Sequence, residues 1–317
     1  MRIVTADDIT SVLTYGALID ALADAFRSDI EVPVRHHHTI EQPGRDATLL
    51  LMPAWTVGES KAGRYLGCKV VTIFPDNVQY NRSSLYGQYL LMAGDTGEPL
   101  ALIDGRALTA WRTAAASALA SRFLSREDAS HLVMIGAGAL APHLVRAHCN
   151  VRALKRVTVW NRTKARAVSM AFGLAVTGIE TEVTDDLEEA VREADIVCCA
   201  TLSATPLIKG AWLKKGAHVD LVGGFTPKMR EADDQVVKRA RVYVDTRAGA
   251  TKEAGDIVVP LRKKIIARST IRGDLSDLCR GKVKGRTAPS QITLFKSVGT
   301  AIEDLAAAIL VWSRLRS

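Results

Sequence analysis

The apolar run His131-Leu132-Val133-Met134-Ile135 leads directly into Gly136-Ala137-Gly138-Ala139-Leu140-Ala141, and a second apolar run, Val157-Thr158-Val159-Trp160, ends 24 residues beyond Gly136. A strand, a glycine turn, a helix and a second strand at this spacing form the βαβ unit that binds a dinucleotide. Gly136 permits the tight turn, Gly138 lets the backbone approach a pyrophosphate, and Ala141 lets the helix pack closely on the strand. Around Ala139 and Leu140 the helix begins, and its first unpaired N–H groups face the phosphates. No other feature narrows the fold as much, because it demands a parallel sheet covered by helices.

The tip of the second strand names the dinucleotide. An acid there would accept hydrogen bonds from the ribose 2′-hydroxyl of NAD, whereas a guanidinium with amide and hydroxyl neighbours suits the 2′-phosphate of NADP. This chain has Asn161, Arg162, Thr163 and Lys164 at that tip and no acid. NADPH is therefore the expected cofactor, with NADH the weaker second. Ligands of such sheets lie beyond the carboxyl ends of the strands. Thr201, after the fourth strand, and Gly223-Gly224-Phe225-Thr226-Pro227, after the fifth, are thus expected to border the same cofactor.

At 317 residues the chain exceeds what one hydrophobic core usually supports, so two domains are expected. From His131 strand and helix alternate, with strands ending at Ile135, Trp160, Val183, Ala200, Val222 and Asp245. That pattern predicts a Rossmann-type, doubly wound parallel sheet over residues 116–299. Before it the text differs. A helix from Thr14 to Arg27 is followed by strand-like pieces at Thr48–Met52, Gly67–Phe74, Leu85–Met92 and Leu100–Ile103 with no helix between them. Such a run predicts a second, α+β domain with a mixed or antiparallel sheet, formed by residues 1–115 plus 300–317. Asp104-Gly105 opens an alanine-rich helix to Leu124, read as the hinge, and the helix from Thr300 is expected to pack back on the first domain.

Composition removes several partners. The net charge is +8 but no block of like charge occurs, and only 5% of residues are aromatic, so a nucleic-acid groove with stacking platforms is not expected. No apolar stretch approaches the length of a membrane span, and Met1 to Asp8 lack the apolar core of a signal peptide. The five cysteines form no C-x-x-C pair, which fits reduced thiols and a cytoplasmic protein. His36, His37 and His38 on a strand would point to alternate faces, so no metal is assigned.

In the first domain Arg45, Lys69, Ser84 and Arg112 are the conspicuous polar residues. Lys69 lies inside the apolar strand Leu66 to Ile73, where a lysine costs free energy unless paired or functional. Arg112 interrupts the alanine-rich helix. Cations converging on one site would bind a carboxylate.

Several longer segments carry a resemblance. They are Leu66-Gly67-Cys68-Lys69-Val70-Val71, Asp95-Thr96-Gly97-Glu98-Pro99-Leu100-Ala101, Leu108 to Ser117, Ile135-Gly136-Ala137-Gly138, Ala194-Asp195-Ile196-Val197 and Ile292 to Gly299. Over nearly its whole length the chain resembles the ornithine cyclodeaminase/μ-crystallin family. The resemblance implies that Arg45, Lys69 and Arg112 hold a substrate carboxylate, with Lys69 close to the reacting centre. It implies that Arg112 and Thr113 touch the cofactor phosphates and that Ser297, Val298 and Gly299 border the nicotinamide. It also implies a homodimer built through the first domain.

One departure bears on the chemistry. Cyclodeaminases of this family carry an Asp immediately after Gly-Gly in the loop following the fifth strand, and this chain has Phe225. A cyclodeaminase starts from an amine and needs a carboxylate base, which Phe225 cannot replace. Phe225 can instead pack on a flat ring. Ser84 keeps a hydroxyl where cyclodeaminases have Thr. The expected activity is NADPH-dependent reduction of a cyclic ketimine acid, Δ1-pyrroline-2-carboxylate or its six-membered homologue Δ1-piperideine-2-carboxylate, to L-proline or L-pipecolate. Three proton sources stay open: solvent, Lys69, or water held by Ser84. Three alternatives also stay open: an alanine dehydrogenase-like enzyme, an ornithine cyclodeaminase, or a μ-crystallin-like protein that only binds NADPH.

Overall fold

The computed structural model describes residues 1–58, 63–175 and 178–316. The chain divides into two units, residues 1–113 with 300–317 and residues 114–299.

In the first unit the elements are β1 (Arg2–Val4), α1 (Ala6–Val12), α2 (Tyr15–Arg27), β2 (Ile30–Glu31), β3 (His36–Ile40), β4 (Ala47–Thr56), β5 (Tyr65–Ile73), β6 (Leu85–Ala93) and β7 (Pro99–Asp104). The division falls inside α3 (Gly105–Leu124). Thr14 caps α2 by accepting from the Ala17 N–H, and Leu18, Ile19, Leu22 and Phe26 form its buried stripe. The strands make a seven-stranded sheet in the order β1-β7-β6-β5-β4-β2, with β3 also paired to β4. Only β1 and β7 run parallel.

Strand alternation gives the two faces of this sheet different fates. One cross-sheet row, Val4-Ile103-Tyr89-Lys69-Met52, is buried throughout. The adjacent row, Ile3-Leu102-Leu90-Cys68-Pro53, points to the other face and no member of it is buried. The covered face packs under the last helix, α11 (Ala301–Arg316), which touches β4, β5 and β6 and packs in turn against α2.

The second unit continues with β8 (His131–Ile135), α4 (Ala141–Cys149), β9 (Arg156–Trp160), α5 (Lys164–Ala175), β10 (Glu180–Val183), α6 (Leu187–Glu193), β11 (Ile196–Cys199) and β12 (His218–Leu221). Then follow α7 (Asp234–Arg239), β13 (Arg241–Val244), α8 (Arg247–Glu253), α9 (Gly255–Arg262), β14 (Ile271–Asp274), α10 (Leu275–Cys279) and β15 (Thr293–Lys296). All eight strands are parallel, in the order β10-β9-β8-β11-β12-β15-β13-β14. The order reverses between β8 and β11, which is the switch point where such sheets bind ligands. Val133, Ile135, Val197, Val219, Leu221, Val242, Val244 and Leu294 fill the core with short branched side chains.

The doubly wound sheet and the second mixed sheet are those expected from the sequence. The place of β15 is not: it inserts between β12 and β13, and β14 extends the sheet beyond them. No single helix among the described residues is long and apolar enough to cross a membrane.

Candidate active site

At the carboxyl end of β8, Gly136 takes φ 104°, and a Cβ there would lie 2.7 Å from the Ala200 carbonyl oxygen. Only glycine fits this turn. A Cβ on Gly138 would meet no atom within 4 Å, so the backbone is open to a ligand on that side. Ala139 and Leu140 lead into α4, whose N-cap, Leu140, has no side-chain cap, leaving the first N–H groups for another acceptor. Asn161 ties the second strand tip to the turn by accepting from the Ala137 N–H at 3.1 Å. Arg162 is exposed and makes no ion pair among the described residues, and Thr163 beside it is exposed too. Lys164 pairs with Asp185, an acid delivered by the loop after β10 that the text around the tip does not reveal. These residues fit a dinucleotide whose phosphates lie over Gly138 and whose ribose lies by Arg162.

The neighbouring loops are pinned by buried acids. Glu231 accepts from the Thr201 N–H (2.6 Å) and hydroxyl (2.9 Å) with one carboxylate oxygen, and from the Gly223 (2.8 Å) and Gly224 (3.2 Å) N–H groups with the other. Asp256 accepts in turn from the Glu231 and Ala232 N–H groups. Lys296, wholly buried at the end of β15, sits 3.6 Å from Asp256 and 3.8 Å from Glu231. Burial pushes the Glu231 carboxyl up, against the pull of Lys296. Asp245 performs the same service for the last loop, accepting from the Val298 and Gly299 N–H groups, each at 2.6 Å. Phe225 leaves the Gly223-Gly224 turn 42% exposed, with its N–H donated to the Gly223 carbonyl.

In the first unit Lys69 and Arg112 meet on one carboxylate. Lys69 Nζ donates to Asp304 at 2.8 Å, and Arg112 Nε donates to the same Oδ1 at 2.9 Å. Arg112 also donates to Glu303 at 2.5 Å, and Lys69 lies 3.4 Å from the Thr109 hydroxyl. Lys69 is 3% exposed, Arg112 5%, and both acids are fully buried. Burial, seconded by the Arg112 charge, lowers the Lys69 ammonium to about 8 despite Asp304 and Glu303. Burial alone would raise Asp304, but Arg112 and Lys69 outweigh it and hold that carboxyl down. Thr113, the next residue of α3, is buried.

Arg45 and Ser84 lie at the end of the sheet where β4 and β6 begin. Arg45 is bound to Asp76 (2.6 Å) and to the Pro75 carbonyl, and the Ser84 carbonyl accepts from the Phe74 N–H. No hydrogen bond or ion pair joins either to Lys69 among the described residues. Sequence reasoning found Lys69 and Arg112 but missed Glu303, Asp304, Glu231, Asp256 and Lys296. Lys296 carried a usable signal, a lysine in an apolar strand, identical to that of Lys69.

One further cluster escaped a search by spacing. His148, Cys198 and Asp220 come from α4, β11 and β12 and place their ligand-type atoms within 4.8 Å of one another. Asp220 accepts from His148 at 3.1 Å, from Cys198 at 3.2 Å and from Ser117 at 3.1 Å. These hydrogen bonds account for the cluster as a satisfied buried carboxylate.

The model of the ornithine cyclodeaminase/mu-crystallin family matches residues 1–317. The chain belongs to that family. It is 37% identical to a Δ1-pyrroline-2-carboxylate reductase of Colwellia psychrerythraea, the match covering 99% of both chains. Among solved structures it is similar to the Δ1-pyrroline-2-carboxylate reductase of Thermococcus litoralis in complex with NADH and L-proline, at 32% identity and TM-score 0.93, covering 100% of this chain and 98% of that one. An archaeal alanine dehydrogenase dimer with bound NAD follows at 27% identity and TM-score 0.91, covering 100% and 96%. Reductases of this family act on C=N bonds.

Proposed function

We propose that this family member is an NADPH-dependent reductase of cyclic ketimine acids, turning Δ1-pyrroline-2-carboxylate into L-proline and the six-membered homologue into L-pipecolate. The observation that carries the reading is the convergence of Lys69 and Arg112 on a single carboxylate oxygen, at 2.8 and 2.9 Å, inside a buried site. Two buried cations that can share one carboxylate are a receptor for an amino-acid-like headgroup. Arg45 adds a third cation on the same unit. Full-length relatives named for this reaction support the substrate class. Phe225 supports reduction over cyclodeamination, since the loop after β12 offers a ring in place of a base.

In this reading Gly136, Gly138, Ala139, Leu140, Thr201 and Val298 hold the dinucleotide, with Asn161, Arg162 and Thr163 at its 2′-phosphate. The bound reduced nicotinamide supplies the hydride. Lys69 and Arg112 orient the carboxylate, Phe225 packs on the ring or the nicotinamide, and Ser84 holds water.

The test is NADPH oxidation at 340 nm with Δ1-pyrroline-2-carboxylate, compared with pyruvate plus ammonia. Turnover with the cyclic imine should exceed that with the open-chain pair by at least about a hundredfold, the discrimination a site built for its substrate's polar groups achieves. Comparable rates would make the chain an amino-acid dehydrogenase, and no oxidation would leave a binding protein. In the same assay Arg162→Ala should raise KM for NADPH by about 10- to 100-fold and leave KM for NADH nearly unchanged. Equal effects on both would remove the 2′-phosphate role.

We also propose a homodimer through the first unit. The row Ile3-Leu102-Leu90-Cys68-Pro53, flanked by Trp55, Leu66 and Met92, is an apolar sheet face on which each of these residues is half-buried or exposed. Two such faces can pack on each other. Light scattering at micromolar concentration should give twice the chain mass for the wild type and the single mass for Leu90→Lys. A monomeric wild type would overturn the proposal.

A further inference from the structure

Every cation assigned to the substrate carboxylate already carries an acid. Lys69 and Arg112 meet Asp304 and Glu303, two charges of each sign, and all four side chains are buried. Arg45 meets Asp76. Among the described residues, the other groups facing Lys69 add no charge: Thr109 is a hydroxyl, and burial raises the Tyr89 phenol, keeping it neutral. The cluster is therefore neutral before any ligand arrives. A bare carboxylate would leave one uncompensated negative charge where water cannot screen it. A carboxylate that brings its own cation would not.

We infer that Asp304 and Glu303 set the ionic form of the substrate, tuning the site to zwitterions, so that the cyclic imine enters with its ring nitrogen protonated while monoanionic acids are rejected. The inference rests on the reductase reading and adds to it. Two acids beside a carboxylate receptor would be a liability in a site for simple 2-oxo acid anions. In a site for an iminium carboxylate they are the counter-charges that hold Lys69 and Arg112 in place without over-attracting anions. The proton on nitrogen then comes from solvent before binding, and Lys69 stays cationic on the carboxylate. Asp304 and Glu303 are specificity residues acting through the two cations.

The probes are L-proline, a zwitterion, and tetrahydrofuran-2-carboxylate, the same ring with oxygen in place of the ammonium. Calorimetry on the full chain with oxidised NADP should show wild type preferring proline by at least about tenfold. In Asp304→Asn that preference should shrink by about tenfold, with tetrahydrofuran-2-carboxylate gaining affinity. Glu303→Gln should move it the same way. An unchanged ratio in folded variants overturns the inference. Should neither variant fold, wild type alone decides. Repeated in buffers of different ionisation enthalpy, tetrahydrofuran-2-carboxylate should take up about one proton on binding and proline none. Uptake by neither overturns the inference. A wild type that neither binds proline nor oxidises NADPH with the imine fails the reductase reading instead. One that turns over but shows no charge selection fails only this inference.

Discussion

Replacing Lys69 by methionine lowers kcat/KM for Δ1-pyrroline-2-carboxylate by about 100- to 1,000-fold, the loss expected when one partner of a desolvated charge pair, worth ~2–5 kcal/mol, is removed. Methionine keeps the stem that fills the row between Tyr89 and Met52 but leaves Arg112 alone with both Asp304 and Glu303, so circular dichroism is read beside the kinetics to separate lost binding from lost fold. Near-wild-type kcat/KM would exclude Lys69 from the site. A pH series gives the same residue a second signature. With the ammonium lowered to about 8, the carboxylate loses its cation above that pH, and KM should climb. Lys69→Arg, whose charge persists, should remove the climb. Stability moves the opposite way. The unfolded chain holds this proton up to 10.5 and the folded chain only to about 8, so between these values the unfolded state binds more protons and stability rises with pH. Below about 8 the burial cost is carried in full.

Glu231→Ala should be the most damaging change in the second unit. The substitution strips acceptors from four donors on two loops and leaves Lys296 buried with Asp256 alone, at 3.6 Å. Breaking such a network costs ~3–5 kcal/mol. The Thr201 and Gly223–Phe225 loops lose their common anchor, so KM for NADPH should rise along with the loss of stability. Urea unfolding monitored by circular dichroism checks the first effect, and an unchanged midpoint would show that the network supports nothing. Glu231→Gln keeps the shape but only one acceptor oxygen, so it should hold one of the two loops while its NH2 group faces the N–H donors of the other, and it loses the match to Lys296.

The parts legible in the sequence were those with local grammar. Strand ends at Ile135, Trp160 and Val183 coincide with those of the structure, because a buried parallel strand is a short apolar run stopped by a loop. Gly136 was legible because only a residue without Cβ tolerates the Ala200 carbonyl at that distance. The insertion of β15 beside β12 was not, since parallel strands paired across seventy residues leave no mark in either segment. The same distinction divides the site. Lys69 stood out against an apolar strand. Glu303 and Asp304 did not, because acids in the first turn of a helix are what its dipole favours anyway, and nothing in Ala301-Ile302-Glu303-Asp304 says that these two are buried. Asp185 reaches Lys164 from 21 residues away, and Asp76 reaches Arg45 from 31, pairings that no window of sequence displays.

The position of β15 and α11 has a consequence for how the protein is made. Translation delivers domains amino end first, and a unit whose contacts are all upstream can fold while the rest is still being synthesised. Neither unit here has that freedom. The parallel sheet lacks an interior strand until Thr293–Lys296 emerges, so β12 and β13 have no common neighbour before then. Lys69 and Arg112 wait for Asp304, more than 190 residues downstream, to neutralise them. On the ribosome both halves must therefore stay incomplete until almost the last helix is released, when each acquires its missing piece from the same short stretch of chain.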